Sequence, residues 1–178
     1  LTRDADGTAR LEVVETIVAR FPDFDQNRGI IRAIPDDYDG VPLSTTIHGV
    51  TDETGADIPF EETRYNGFVE LALGTDDFVR GVQTYVISYQ QINVVRSFTD
   101  TSADEFYWDV NGIGWDQPFG TVSATLHVDP ELVDALTGEA ACYAGPQDGV
   151  AECAEITRNA DGSVKARATA LRPRETLT

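Results

Sequence analysis

The sequence predicts an all-β protein, and three observations support this fold class. Apolar and polar residues alternate with a period of two in most segments, as they do in half-buried β-strands. No run with a period of 3.6 residues is long enough to predict more than one short helix. Asp-Gly and Asn-Gly pairs, which favour tight turns, separate the segments. We therefore predict an antiparallel β-sandwich of the immunoglobulin-like or a related type.

The individual elements follow from this alternation and from the turn signals. The positions predicted to face inward are Leu11, Val13, Ile17, Ala19 and Phe21; Val69, Leu71 and Leu73; Tyr85, Ile87 and Tyr89; Phe106, Trp108 and Val110; Val122, Ala124, Leu126 and Val128; and Val164, Ala166, Ala168 and Ala170. The predicted turns lie at Asp6-Gly7, Asp39-Gly40, Asn66-Gly67, Asn111-Gly112 and Asp161-Gly162. The one short helix is expected within residues 129–138, because Asp129 suits the N-cap and Pro130 suits the first helical position.

Length and charge limit the organisation and the partners of the chain. Its 178 residues can bury one good core, so we predict a single domain over residues 1–178. The 31 acidic and 13 basic residues leave a net charge of −18. Nucleic acid and anionic lipid bind proteins largely through Lys and Arg, so neither is an expected direct partner of this domain. Methionine is absent, and we expect the domain to be excised from a longer, membrane-anchored protein whose remainder is its partner.

The two cysteines predict a disulfide and an oxidising compartment. Cys142 and Cys153 flank a Gly- and Pro-containing turn, in a geometry that favours a bridge over two buried thiols. The chain has two histidines, both distant in sequence, so a thiolate zinc site lacks ligands. A disulfide would place the domain outside the cytoplasm.

Motifs for catalysis are absent, and the candidate sites are weak. The sequence contains no phosphate-binding loop, nucleophile elbow or metalloprotease helix motif, so we expect a non-enzymatic domain without a cofactor. Asp23, Asp25 and Asn27 imitate part of a calcium loop, but a solvated turn is the favoured interpretation. The candidate binding residues, which would suit a carbohydrate, are Trp115, Tyr107, Asp109 and Asp116.

Glu15 predicts a buried ion pair. It shares a strand face with Leu11, Val13 and Ile17, so strict alternation directs its carboxylate into the core. A buried carboxylate needs a partner. Arg32 is the partner we predict, because it lies within the apolar segment 29–35 and its guanidinium fits a carboxylate. The alternative is a β-bulge that turns Glu15 to solvent.

Four segments together resemble a bacterial family of predicted membrane proteins, domain of unknown function 2207. They are Val13-Val-Glu-Thr-Ile17 with Phe21, Arg28-Gly-Ile-Ile-Arg-Ala-Ile-Pro35, Gly81-Val-Gln-Thr-Tyr-Val-Ile-Ser-Tyr89, and Glu105-Phe-Tyr-Trp-Asp-Val-Asn-Gly112 with Trp115. The segments occur in the family's order and cover about positions 10 to 128. Two positions depart from the usual pattern: Ala33 stands where Asp is common, and Asp109 stands where Asn is common.

The resemblance implies a signal peptide, an extracytoplasmic β domain and later membrane helices, and it supplies no enzymatic residues. We therefore expect a binding, sensing or assembly module on the extracytoplasmic side of a bacterial cell membrane. The alternative is a domain of the cell envelope that binds or cleaves carbohydrate. An acidic cleft with two carboxylates and an exposed tryptophan would favour this alternative.

Overall fold

The computed structural model describes residues 1–99 and 102–178, and the chain divides into two compact units. The central unit is Arg10–Val94. The terminal unit combines Leu1–Ala9 with Val95–Thr178. The expectation of a single domain over residues 1–178 stays a prediction.

The described residues form sixteen strands and one helix. In chain order they are β1 (Thr2–Arg3), β2 (Ala9–Phe21), β3 (Asn27–Pro35), β4 (Asp37–Tyr38), β5 (Val41–Pro42), β6 (Thr46–Thr51), β7 (Phe60–Tyr65), β8 (Phe68–Val79), β9 (Gly81–Ile92), β10 (Val95–Phe98), β11 (Ala103–Phe106), β12 (Phe119–Leu126), α1 (Pro130–Val133), β13 (Ala144–Gly145), β14 (Glu155–Arg158), β15 (Val164–Leu171) and β16 (Thr176–Leu177). The all-β prediction and its limit of one short helix are confirmed.

The central unit is a small β-sandwich. Strands β2, β9 and β6 lie side by side in one antiparallel sheet, and β3, β8 and β7 form a second. Most of the positions predicted to face inward are buried; they are Leu11, Ile17, Val69, Leu71, Leu73, Tyr85, Ile87 and Tyr89. Val13, Ala19 and Phe21 are half-buried, and the core also contains Ile34 and Val50. Polar contacts also join the sheets, since the fully buried Gln91 of β9 donates to the carbonyl oxygen of Pro35 in β3 at 2.6 Å.

Two glycines allow β3 and β8 to approach closely. Gly29 and Gly74 face each other in the β3–β8 register, at φ of 145° and 135°. A Cβ atom on Gly29 would lie 1.7 Å from the carbonyl oxygen of Leu73, and one on Gly74 would lie 2.2 Å from that of Arg28. Any larger residue would therefore force the two backbones apart.

The terminal unit is built on the antiparallel sheet β12-β15-β14. Its core contains Val122, Cys142, Ala168, Leu171 and Leu177. Asp129 caps α1 as predicted, because its side chain accepts a hydrogen bond from the backbone N–H of Glu131 at 2.9 Å. The segment after residue 171 forms the short strand β16, which pairs with β13.

Two strand predictions in the terminal unit are wrong in part. Ala170 does not continue the inward row of β15, because its φ of 55° interrupts the pleat; Ala170 is exposed and Leu171 is buried instead. Strand β11 ends at Phe106 and does not reach Val110. Beyond that end, Trp108 stacks on Phe106 with ring centroids 5.9 Å apart.

Candidate functional site

A cleft of about 300 Å³ in the terminal unit carries two exposed tyrosines. We call it the tyrosine cleft; its lining residues are Tyr107, Tyr143, Ala144, Gly145, Pro146, Asp148, Gly149, Val150 and Thr178. The side chains of Tyr107 and Tyr143 are 45% and 39% exposed, and Val150 is 84% exposed. The surface is therefore open and mixed in character, with two aromatic rings and apolar groups beside polar groups that include the carboxylate of Asp148.

The disulfide loop holds one wall of the tyrosine cleft. Cys142 and Cys153 form the predicted bridge, with Cα atoms 5.4 Å apart. Inside this loop, the backbone N–H of Ala144 donates to the carbonyl of Ala151 at 2.8 Å, and the N–H of Cys153 donates to the carbonyl of Cys142 at 3.0 Å. Because Cys142 also belongs to the core, the wall is fixed to the interior of the unit.

The last residues of the chain hold the floor of the cleft. Tyr143 and Thr178 exchange two backbone hydrogen bonds, each 2.9 Å long. The hydroxyl of Thr178 donates to Asp109 at 2.7 Å, and the buried Leu177 extends the same segment into the core. The cleft is thus preformed by covalent, backbone and side-chain contacts, which lowers the entropic cost of binding.

The structure separates the four candidate binding residues into two groups. Tyr107 lines the tyrosine cleft, and Asp109 supports it through Thr178. Trp115 instead packs edge-on against Phe119 at 5.4 Å and donates from Nε1 to the carbonyl of Asn111.

Asp116, next to Trp115, contacts the guanidinium of Arg174 at 2.9 Å. Neither Trp115 nor Asp116 lines the cleft. The Asp116–Arg174 pair and a hydrogen bond from the backbone N–H of Arg174 to the carbonyl of Trp115 attach this segment to the turn that precedes β16.

Glu15 and Arg32 lie together in the core of the central unit. Arg32 Nε is 3.0 Å from Glu15 Oε1, with the two side chains 3% and 16% exposed. Arg32 Nη1 also donates to the carbonyl of Ala33 at 2.7 Å. Burial opposes the charge on the guanidinium, but attraction to Glu15 and contact with Tyr89 outweigh it, so the pKa of Arg32 is raised. This pair joins β2 to β3 and is structural.

Two of the three residues that imitate a calcium loop, Asp25 and Asn27, have other roles, and Asp23 is exposed. Asp25 forms an ion pair with Arg80, and Asn27 begins β3. Nowhere in residues 1–99 and 102–178 do three or more His, Cys, Asp or Glu side chains gather as a metal ion would need.

A family model, described as predicted membrane protein (DUF2207) N-terminal domain, matches residues 3–178. The chain belongs to this family. The match spans both units and agrees with the resemblance carried by the four sequence segments. No curated protein and no solved structure matches the chain. None of the described residues forms a helix that could cross a bilayer.

Sequence reasoning did not select Tyr143, Asp148 or Val150 as site residues. Tyr143 follows Cys142 directly, so the disulfide prediction already placed it beside a rigid loop. The missing information was the pairing of Tyr143 with Thr178, which is a long-range contact.

Proposed function

We propose that this N-terminal domain is a non-enzymatic binding module on the extracytoplasmic side of a membrane-anchored bacterial protein, and that the tyrosine cleft is its ligand site. The observation that carries the proposal is the preformed cleft with two exposed tyrosine rings. Concave, largely apolar surfaces with a few polar groups are the usual form of ligand sites. Tyrosine combines a large apolar face with a hydroxyl, at a low cost in conformational entropy.

The charge of the domain limits the class of ligand. A net charge of −18 repels anions, and Asp148 adds a carboxylate at the cleft itself. We infer a neutral or basic ligand. A neutral glycan of the cell envelope is the second candidate, favoured by the pair of exposed tyrosine rings, on which sugar rings would stack.

The disulfide supports the extracytoplasmic location. Bridges such as Cys142–Cys153 persist in oxidising compartments and are rare in the cytoplasm. The remainder of the membrane-anchored chain is then the covalent partner of this module, and a ligand reaches the cleft from outside the cytoplasm.

The binding proposal is tested by thermal unfolding of the chain with panels of neutral envelope oligosaccharides and of basic peptides. A ligand at one hundred times its Kd stabilises the folded state by about 2.7 kcal/mol, which raises Tm by roughly 5 to 10 °C for a chain of this size. We expect Tyr107→Ala and Tyr143→Ala to abolish the shift. Tyr65→Ala is the matched control, because Tyr65 is 69% exposed in the central unit.

Two results would contradict the binding proposal. One is the absence of a shift with both panels, and the other is an equal shift in the cleft variants. Mass spectrometry of the oligosaccharides after incubation separates binding from cleavage, since a binding module returns them intact.

The location is tested in intact cells that make the membrane-anchored protein with Glu53→Cys. Glu53 is exposed in a turn of the central unit, so a membrane-impermeant maleimide should label this variant. Val69→Cys is the control, because Val69 is fully buried. Labelling of Glu53→Cys only after lysis would place the domain in the cytoplasm and refute the proposed side.

A further inference from the structure

Two exposed carboxylates lie at the tyrosine cleft, and no described residue pairs with either of them. Asp148 lines the cleft, and its side chain makes no hydrogen bond or ion pair within residues 1–99 and 102–178. Glu152 faces Tyr143 in an antiparallel bridge, so these two side chains lie on the same side of the ladder. The Glu152 side chain is likewise exposed and without a partner in the described part of the chain. A ligand that contacts Tyr143 therefore lies beside two carboxylates.

The other charges and rings of the cleft also favour a cation. None of the described residues that line it is basic. The rings of Tyr107 and Tyr143 are exposed, and the faces of aromatic rings attract positive charge. The net charge of −18 adds an attraction for cations at longer range. Carboxylates, rings and net charge thus all favour a ligand group that carries a positive charge.

The apolar part of the cleft restricts which cations fit it. Val150 is 84% exposed, and Pro146 and Ala144 line the same cleft. A compact, strongly hydrated ion gains nothing from such a surface. Lysine and arginine side chains combine an aliphatic stem with a charged end, so the stem covers apolar groups while the charge reaches a carboxylate. A volume of about 300 Å³ accommodates one side chain of this length.

The turn that carries Asp148 fixes its backbone in a conformation that usually needs glycine. The N–H of Gly149 donates to the carbonyl of Pro146 at 2.9 Å, which closes a four-residue turn with Asp148 at its third position and a φ of 61°. Glycine or asparagine is preferred at this position when φ is positive. A Cβ atom on Gly149 would lie 2.7 Å from the same carbonyl oxygen, so the turn is tight. An aspartate at a position that suits glycine points to a role for its carboxylate.

We propose that the tyrosine cleft binds a lysine or arginine side chain of a basic peptide, and that Asp148 selects its charge. This inference rests on the proposed function of the cleft and narrows the ligand to one class. The aliphatic stem packs against Val150 and the tyrosine rings, and the charged end pairs with Asp148. Glu152 adds a second negative charge beside Tyr143.

The proposal is tested by calorimetric titration of the 178-residue chain with tetralysine and with tetralysine acetylated on its side-chain amines. At about 0.15 M salt, charges more than about 8 Å away are largely screened, so contacts within the cleft dominate. Acetylation keeps the aliphatic stem and removes the charge. We expect tetralysine to bind, and the acetylated peptide to bind about tenfold more weakly or less.

Variants of Asp148 test its role in selecting the charge. Asp148→Asn keeps a residue that tolerates positive φ, and it should weaken tetralysine binding by about five- to tenfold. Asp148→Gly should lose the same binding and unfold at no lower a temperature, because glycine adopts this φ without strain; the lost binding is then not due to unfolding. Asp39→Asn is the matched control, since Asp39 is also exposed, with a φ of 52°, in the central unit. This control should bind tetralysine within about twofold of the unaltered chain.

The contrary outcomes separate this inference from the proposed function. An equal effect of Asp148→Asn and Asp39→Asn would attribute binding to the overall charge and overturn the inference, as would equal binding of the acetylated peptide. A response to neutral oligosaccharides without one to tetralysine would overturn the inference and leave the proposed binding function in place. No response to any of these probes would overturn both.

Discussion

Removing either member of the Glu15–Arg32 pair should strongly destabilise the fold, and the two removals should not cost the same. Glu15→Gln leaves the guanidinium of Arg32 without a counter-ion at a side chain that is 3% exposed. Breaking a buried pair in this way costs about 3 to 5 kcal/mol of unfolding free energy. Arg32→Met leaves the carboxylate of Glu15, which is 16% exposed, without its partner.

This difference in exposure sets the magnitudes. A carboxylate that reaches water, or takes up a proton, is destabilised less by the loss of its partner than a guanidinium enclosed between two sheets. We therefore expect Arg32→Met to cost about 2 to 3 kcal/mol, less than Glu15→Gln. The double variant Glu15→Gln/Arg32→Met leaves no buried charge, so its cost should fall below the sum of the single costs by about 1 kcal/mol or more.

Urea unfolding of the four chains, followed by circular dichroism, gives the required free energies. Asp116→Asn is the matched control, because the Asp116–Arg174 pair is exposed on both sides and should contribute less than about 1 kcal/mol. Single costs near 0.5 kcal/mol that add in the double variant would show that the pair contributes little to stability, whatever its geometry.

Three further predictions concern stability. Replacing Cys142 and Cys153 by Ser should lower the unfolding free energy by about 3 kcal/mol in urea; no loss would contradict the role given to the loop. Gly29→Ala should lower the unfolding free energy by about 3 kcal/mol or more in the same assay, because the added Cβ would meet the backbone of β8. Gly55→Ala is the control: its φ is 86° and the space around it is open, so it should cost only about 1 to 2 kcal/mol. Burial raises the pKa of Tyr89, so the phenol loses its proton at a lower pH in the unfolded chain than in the folded chain. The unfolding free energy should therefore fall as pH rises above about 10, by up to about 1.4 kcal/mol per pH unit. Tyr89→Phe should flatten this slope, and an unchanged slope would exclude Tyr89 as its source.

Local patterns were sufficient to predict the core of the central unit. In β2 the alternation is unbroken from Leu11 to Phe21, so the direction of Glu15 follows from the pleat alone. Arg32 was identified as its partner because a charge in an apolar strand must be paired. Both inferences use only the period of a strand and the cost of burying a charge, which is why they needed no knowledge of the topology.

The tyrosine cleft could not be predicted in this way. It depends on the pairing of Tyr143 with Thr178, which no local pattern encodes. Tyr107 and Trp115 are near in sequence and were grouped for that reason. The chain bends at Val110 and Asn111 between them, and the indole N–H of Trp115 donates back to the carbonyl of Asn111.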